Sequence, residues 1–450
     1  MKKKRTAFWG GLAAGGVAGY LWYLFKRPVL PACGFDALAH PAWGEDSLRA
    51  AIDAARLQAD TEALSTIVPR HGGSAREHEA RNWVLTRFRE SGLEQVHLQR
   101  VFYPRWVDEG ATLALTSPVG ADLPVLAFSG SAATPRAGIQ GRVVYVGEGL
   151  ATDYARFDAK TLRGAVHLVD TSLTPRRIKA LNARRHGAVA FIMMHNHPSP
   201  SDEPMMAAGT AVVGGRIPAL SVSREVGQRL REEPSVVRIH TRSHYELGTT
   251  WNVIGELPGT SKDYVVLTAH YDAWFGGASD NAAGVAVMLE LARLLCQMRQ
   301  SEPLPHTIRC ISYGSEEEGT YGSIFDVLTH ARSIKARCKG VVVPDVVGWP
   351  TGPLYVDVRP AGLARLAHAL LADVGYQDQT GYQAVVSATR AAYSDHVPYT
   401  FLRVPAIQFC TPHPYYHTTY DTAERLDWNN LRWTAALAGS ALWRLAHLSK

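Results

Sequence analysis

Apolar residues recur in short unbroken runs through the second half of the chain, at Tyr264–Ala269, Thr307–Tyr313, Gly340–Pro344 and Ala406–Cys410. Runs of this length read as strands buried on both faces. Between them the apolar spacing becomes helical, over Asn281–Leu295, from near Tyr321, over Ala361–Val374 and over Trp428–Leu448. Strands alternating with helices predict a three-layer α/β sandwich. Ahead of this region, Ala80, Trp83, Val84, Leu85 and Phe88 have helical spacing within Arg76–Ser91, Gly92 supplies a stop, and Gln95–Phe102 alternates as a strand. From about Gly110 to Arg242 the texture changes to short apolar runs, Arg142–Val146, Ala165–Val169, Ala188–Met193 and Pro218–Val222, set between glycine- and proline-containing turns.

One further apolar stretch stands apart. Ala7–Phe25 carries no charge over 19 residues, enough helix to cross about 30 Å of hydrocarbon, and it predicts a membrane anchor. A cleaved signal peptide is the alternative, but Lys26-Arg27-Pro28 follows directly, with no small-residue cleavage site. Leu30-Pro31-Ala32-Cys33 is a weak match to a lipoprotein processing site. More positive charge precedes the stretch than follows it, so the positive-inside rule predicts that the rest of the chain lies outside the cytoplasm, periplasmic or extracellular.

Length and charge narrow the picture. With 450 residues, 46% of them hydrophobic, the chain can bury a large core in more than one domain. The net charge of +6 is accounted for by Lys2, Lys3, Lys4, Arg5, Lys26 and Arg27, and the remaining 41 basic residues balance 41 acidic ones. The overall charge therefore gives no support for a nucleic-acid surface. Cys33, Cys296, Cys310, Cys338 and Cys410 are scattered and odd in number, which gives no disulfide framework; Cys310 and Cys410 fall in apolar strands and read as inert buried thiols.

His270, Asp272, Asp280, Glu316, Glu317, Asp345 and His417 lie mostly at or just beyond the ends of the predicted strands. Strand ends in an open α/β sheet converge on one crevice. Two histidines and several carboxylates brought together there suit a metal such as zinc. His270 and Asp272, two apart on an extended chain, point to one side. Asp280 precedes a helical pattern and reads as an N-cap aspartate. Asp345, at the end of a buried strand, requires partners.

The segments His270-Tyr-Asp272, Ala278-Ser-Asp280-Asn-Ala-Ala-Gly284, Glu316-Glu317-Glu-Gly319, Pro344-Asp345-Val-Val-Gly348, Ser394-Asp395-His396 and Tyr416-His417-Thr-Thr-Tyr-Asp421 resemble, in order, the blocks of the di-zinc aminopeptidase and glutamate-carboxypeptidase family. That resemblance implies a mixed sheet of the zinc-exopeptidase type. It also implies two zinc ions per chain: His270, Asp280 and Asp345 on one, and Asp280, Glu317 and His417 on the other, with Asp280 bridging. Glu316 becomes the general base, Glu317 a ligand, Glu318 an outward residue, Asp272 the support of His270, and Tyr416 a candidate oxyanion donor in competition with Tyr393 and Tyr420. Ser394-Asp395-His396 is contiguous and lacks a Gly-x-Ser-x-Gly elbow, so it is no serine-hydrolase triad; in the family it caps a helix near the site.

Lys179-Ala-Leu-Asn-Ala-Arg-Arg-His-Gly-Ala188 and Ile217-Pro-Ala-Leu-Ser-Val222 resemble a protease-associated domain, a small β-rich insertion found in several members of this family. His195-Asn-His197 within it is expected in an exposed loop. The implied organisation is an anchor over 1–34, a peptidase domain over 35–109 and 245–450, and the insertion over 110–244. The implied activity is release of N-terminal residues from peptide substrates. Rivals are a carboxypeptidase, for which Arg390 is a possible carboxylate partner, a single-zinc glutaminyl cyclase, and a non-catalytic receptor on the same fold. Oligomeric state and substrate side-chain preference are not legible.

Overall fold

The computed structural model describes Leu38, His40 and residues 44–118, 120–172, 174–210, 216–301, 303–389 and 393–448. The expected anchor Ala7–Phe25, Cys33 and Arg390 lie outside the described residues.

Each central strand of the second half alternates its side chains between two cores. Val265, Leu267 and Ala269 enter one, with Leu57, Val84, Phe88, Val287, Leu291, Leu437 and Leu442 from the helices Ala54–Ser65, Ala75–Glu90, Ala283–Met298 and Trp428–Ala446. Tyr264 and Val266 enter the other, with Val327, Ala331 and Ile334 of Tyr321–Arg337 and with Tyr399. Period-two strands feeding a helical layer on each face produce the three-layer sandwich. The sheet is mixed. In order across it run Ala384–Ser387, Leu354–Arg359, Ala406–Cys410, Cys338–Pro344, Tyr264–His270, Thr307–Tyr313 and Val236–Leu257, with antiparallel pairings between Leu354–Arg359 and Ala406–Cys410 and between Thr307–Tyr313 and Val236–Leu257. Ala278–Met298 is long and apolar enough to cross a membrane, but most of it is buried in this core.

The strand expected at Gln95–Phe102 is the start of a longer one, Glu94–Ser117, paired antiparallel with Val236–Leu257 along almost its whole length. This ribbon joins the two parts of the molecule. Its second strand pairs with Thr307–Tyr313 through residues 253–257 and with Ile139–Tyr145 through residues 236–239. Residues 110 and 244 therefore lie inside a continuous ribbon, next to a register shift between Asp108 and Ala111.

The inserted region is less purely β than expected. Ile139–Tyr145, Val166–Asp170, Ala190–Met194 and Ala219–Val222 form a parallel sheet, and parallel neighbours need crossover connections. The helix Arg176–Arg185 connects two of these strands, and Arg224–Glu232 follows the last. The strands again divide their side chains between two cores, Leu168 and Ile192 in one, Val169, Phe191 and Met193 in the other.

Candidate metal centre

Cys338–Pro344, Tyr264–His270 and Thr307–Tyr313 run parallel, as do Cys338–Pro344 and Ala406–Cys410. Their C-terminal ends open on one edge of the sheet, where crevices of such folds form. His270 ends its strand, Asp345 follows Pro344, Glu316 and Glu317 follow Tyr313, and His417 lies on the loop after Cys410. His270 Nε2 is 3.1 Å from Asp280 Oδ1 and 3.3 Å from Asp345 Oδ1. His417 Nε2 is 3.0 Å from Asp280 Oδ2 and 2.8 Å from Glu317 Oε2. Two groups of three donors thus share Asp280, and all five side chains are buried.

Asp280 does not act as the expected N-cap. The α-helix begins at Ala283, its cap position Ala282 has no side-chain cap bond, and Asp280 (φ −120°, ψ 85°) and Asn281 lie in a wider, non-helical turn. Asp421 holds this turn from behind, accepting from the Ser279 amide at 2.9 Å and the Asp280 amide at 3.1 Å. Asn281 Nδ2 donates to the Pro344 carbonyl at 3.2 Å. A Cβ on Gly284 would stand 2.0 Å from Asn281 Oδ1 and 2.4 Å from that same carbonyl; glycine is required because the helix start presses against the strand end.

Asp272 braces the opposite loop. Its Oδ1 and Oδ2 accept from the amides of Glu316 and Glu317, each at 3.1 Å. The outer nitrogen of His270 lies 3.0 Å from the Asp272 carbonyl and 3.6 Å from its carboxylate, so the backbone is the nearer support of the ring.

The electrostatics follow from enclosure. Burial disfavours a charged His270, yet Asp272, Asp280 and Asp345 hold its pKa well above the ordinary value. His417 rises to about 9, as Glu317 and Asp280 outweigh burial and Arg176. Burial would raise Asp280, but the two histidines carry it below the usual carboxylate range. Burial pushes Glu316 well up, with Asp395 and Asp345 adding and His270 opposing. Asp280 Oδ2 and His417 Nε2 are buried and 3.0 Å apart, yet neither has an aligned hydrogen bond. Buried polar atoms normally find a partner; donors directed at a common point fit a borderline cation such as zinc.

Other expectations are changed. Glu318 is not outward: it is buried beside Tyr103, and burial lifts its pKa to about 8, because the loop turns its third carboxylate into the base of the ribbon. His195 is buried, not exposed, since it continues the interior strand Ala190–Met194; His197 is exposed. Tyr416 stacks on His417 with centroids 3.8 Å apart and is 39% exposed. Tyr420 donates to the Glu203 carbonyl, and Tyr393 lies 3.3 Å from Thr320 Oγ1. Ser394, Asp395 and His396 precede the short helix Val397–Phe401 without a side-chain cap; Asp395 is fully buried, and burial, opposed by His270, raises its pKa to about 7.

Two arginines had no motif to reveal them. Arg70, fully buried, donates to the carbonyls of Tyr271, Gly276 and Gly277 at 2.7, 2.6 and 3.0 Å and ties the loop between His270 and Asp280. Arg176 comes from the inserted region, from which no site residue was expected, and its Nη2 lies 2.9 Å from His417 Nδ1. Ala208 donates its amide to the His417 carbonyl at 2.8 Å, and Thr210 Oγ1 donates to the Glu317 carbonyl at 3.1 Å.

Residues 252–442 match the model of peptidase family M28, and residues 139–230 match the PA domain. Aminopeptidase YwaD of Bacillus subtilis is 28% identical over 406 residues, covering 87% of this chain and 84% of that protein. The solved structure of BSAP, a zinc aminopeptidase from Bacillus subtilis, superposes with TM-score 0.67 at 26% identity, covering 87% of this chain and 95% of that one. Carboxypeptidase Q of Rattus norvegicus is 24% identical over 279 residues, 58% of each chain.

Proposed function

We propose that this chain, which is similar to peptidase family M28 over residues 252–442 and to the PA domain over residues 139–230, is a zinc-dependent aminopeptidase releasing N-terminal residues from peptides. The observation that carries the reading is the pair of buried three-donor groups sharing Asp280. His270, Asp280 and Asp345 would hold one zinc, and Asp280, Glu317 and His417 a second. Bound there, zinc supplies polarisation of the scissile carbonyl and a lowered pKa for the attacking water.

The protein's own groups handle the proton. Glu316 takes it from the attacking water and gives it to the leaving amine. Asp272 fixes the backbone of Glu316 and Glu317 through the two amide bonds described above, so base and ligand keep their relative places. Tyr416, stacked on His417, is the donor we assign to the developing oxyanion. Glu316 with Asp395 or Asp345 supplies the acidic groups to receive a substrate ammonium, which an aminopeptidase needs and a carboxypeptidase does not.

Hydrolysis of matched free-amine, N-acetylated and C-amidated peptides, with metal analysis of the intact protein, tests this reading. The expected result is two zinc equivalents, N-terminal release, and protection by acetylation. Trimming of N-acetylated peptides from their C-termini, with resistance of amidated ones, would establish the carboxypeptidase instead. The charge asymmetry around Ala7–Phe25 supports an anchored, extracytoplasmic enzyme. A reporter fused after Lys450 that reports a cytoplasmic location would refute it.

A further inference from the structure

We propose that Arg176 and Arg177, at the start of a PA-domain helix, bind a substrate carboxylate on the leaving side of the scissile bond, so that the enzyme favours very short peptides with a free C-terminus. The proposal rests on the aminopeptidase reading and adds a selection at the other end of the substrate.

The helix Arg176–Arg185 begins beside His417 of the candidate metal site. The Arg176 guanidinium lies 5.9 Å from the Tyr416 ring and 5.8 Å from Phe128, and it donates to the Ala208 carbonyl. Arg177 lies 4.9 Å over the ring of Tyr393, whose hydroxyl reaches Thr320 just beyond the Glu316–Glu318 loop. The two cations thus stand against the two aromatic residues beside the cleft. Among the described residues no carboxylate forms an ion pair with either. An arginine without an anion beside a carboxylate-rich centre, held by an aromatic face, is poised for an incoming anion, which its planar fork takes bidentately.

Arg176 Nη2 lies 2.9 Å from His417 Nδ1. It stands one imidazole ring away from the shared donors, a span that a residue or two of substrate, at about 3.8 Å per residue, covers. A terminal carboxylate and an acidic side chain offer the same chemistry; the position fits a chain end, because the PA domain closes this side of the cleft through Ala208 and Thr210.

The test uses the zinc-loaded full chain and substrates sharing one N-terminal residue: the dipeptide with C-terminal Gly, its amide, and the amide of the dipeptide with C-terminal Glu. Wild type is expected to prefer the free acid over the Gly amide by at least about tenfold in kcat/KM. Arg176→Gln, and to a smaller degree the exposed Arg177→Gln, should collapse that acid-to-amide ratio toward one. Preference for the Glu amide over the Gly amide, without one for the free acid, would replace the terminal carboxylate by an acidic side chain and overturn the chain-end assignment. Equal wild-type rates on acid and amide overturn the proposal without needing any variant. A wild-type preference left unchanged by both variants overturns the assignment to these arginines. If free-amine peptides lose no N-terminal residue at all, the aminopeptidase reading itself has failed, and this proposal with it.

Discussion

Asp421→Asn isolates the role of a residue that touches no substrate. Its two carboxylate oxygens accept the amides of Ser279 and Asp280 at 2.9 and 3.1 Å, and it is buried. An asparagine keeps one acceptor and turns an NH2 toward the other amide, so one charge-assisted bond is lost and two donors face each other. A hydrogen bond to a charged group contributes about 1.5–3 kcal/mol. If that loss falls on the placement of Asp280, zinc affinity should weaken by about 10–100-fold, since about 1.4 kcal/mol is a factor of ten. Competition with a chromophoric chelator measures this directly, with circular dichroism to verify the fold. Zinc affinity within twofold of wild type in a folded Asp421→Asn protein would refute the idea that Asp421 positions the shared carboxylate.

Glu316→Gln should lower turnover by about 10²–10⁴ while keeping metal content, whereas Glu317→Gln should lower metal content; the opposite pattern would shift the assignment by one residue. Gly284→Ala places a Cβ against Asn281 Oδ1 and the Pro344 carbonyl, and calorimetry should show a loss of about 1–3 kcal/mol or more. Asp326, 2.9 Å from His330, raises the histidine's pKa through their hydrogen bond. A folded value above the unfolded one stabilises fully below the unfolded pKa, about 6.5, and loses that contribution as pH rises through the folded value. The melting-temperature advantage of wild type over His330→Gln should thus be widest below about pH 6.5 and narrow above it; a gap independent of pH would show that charge plays no part.

Much of the peptidase core was legible because each central strand is buried on both faces and stands out as an unbroken apolar run, as at Thr307–Tyr313 and Ala406–Cys410. The residues His270, Asp280, Glu317, Asp345 and His417 were legible as a group because chemistry confines them to strand ends. Their roles at zinc came from resemblance. Glu318 was misjudged: local pattern makes a third glutamate in a loop solvent-facing, and only the path of the loop turns it inward beside Tyr103.

What the chain alone determined is periodicity and local chemistry, since burial on one face or two leaves its mark within a few residues. What it left open is every partner far away in sequence. Arg70 reaches a loop more than two hundred positions on, and Arg176 meets His417 across a domain boundary. A lone arginine carries no periodic signal. The Glu94–Ser117 and Val236–Leu257 ribbon joins the inserted region to the sheet that carries the candidate metal site, and that pairing exists only in the folded chain.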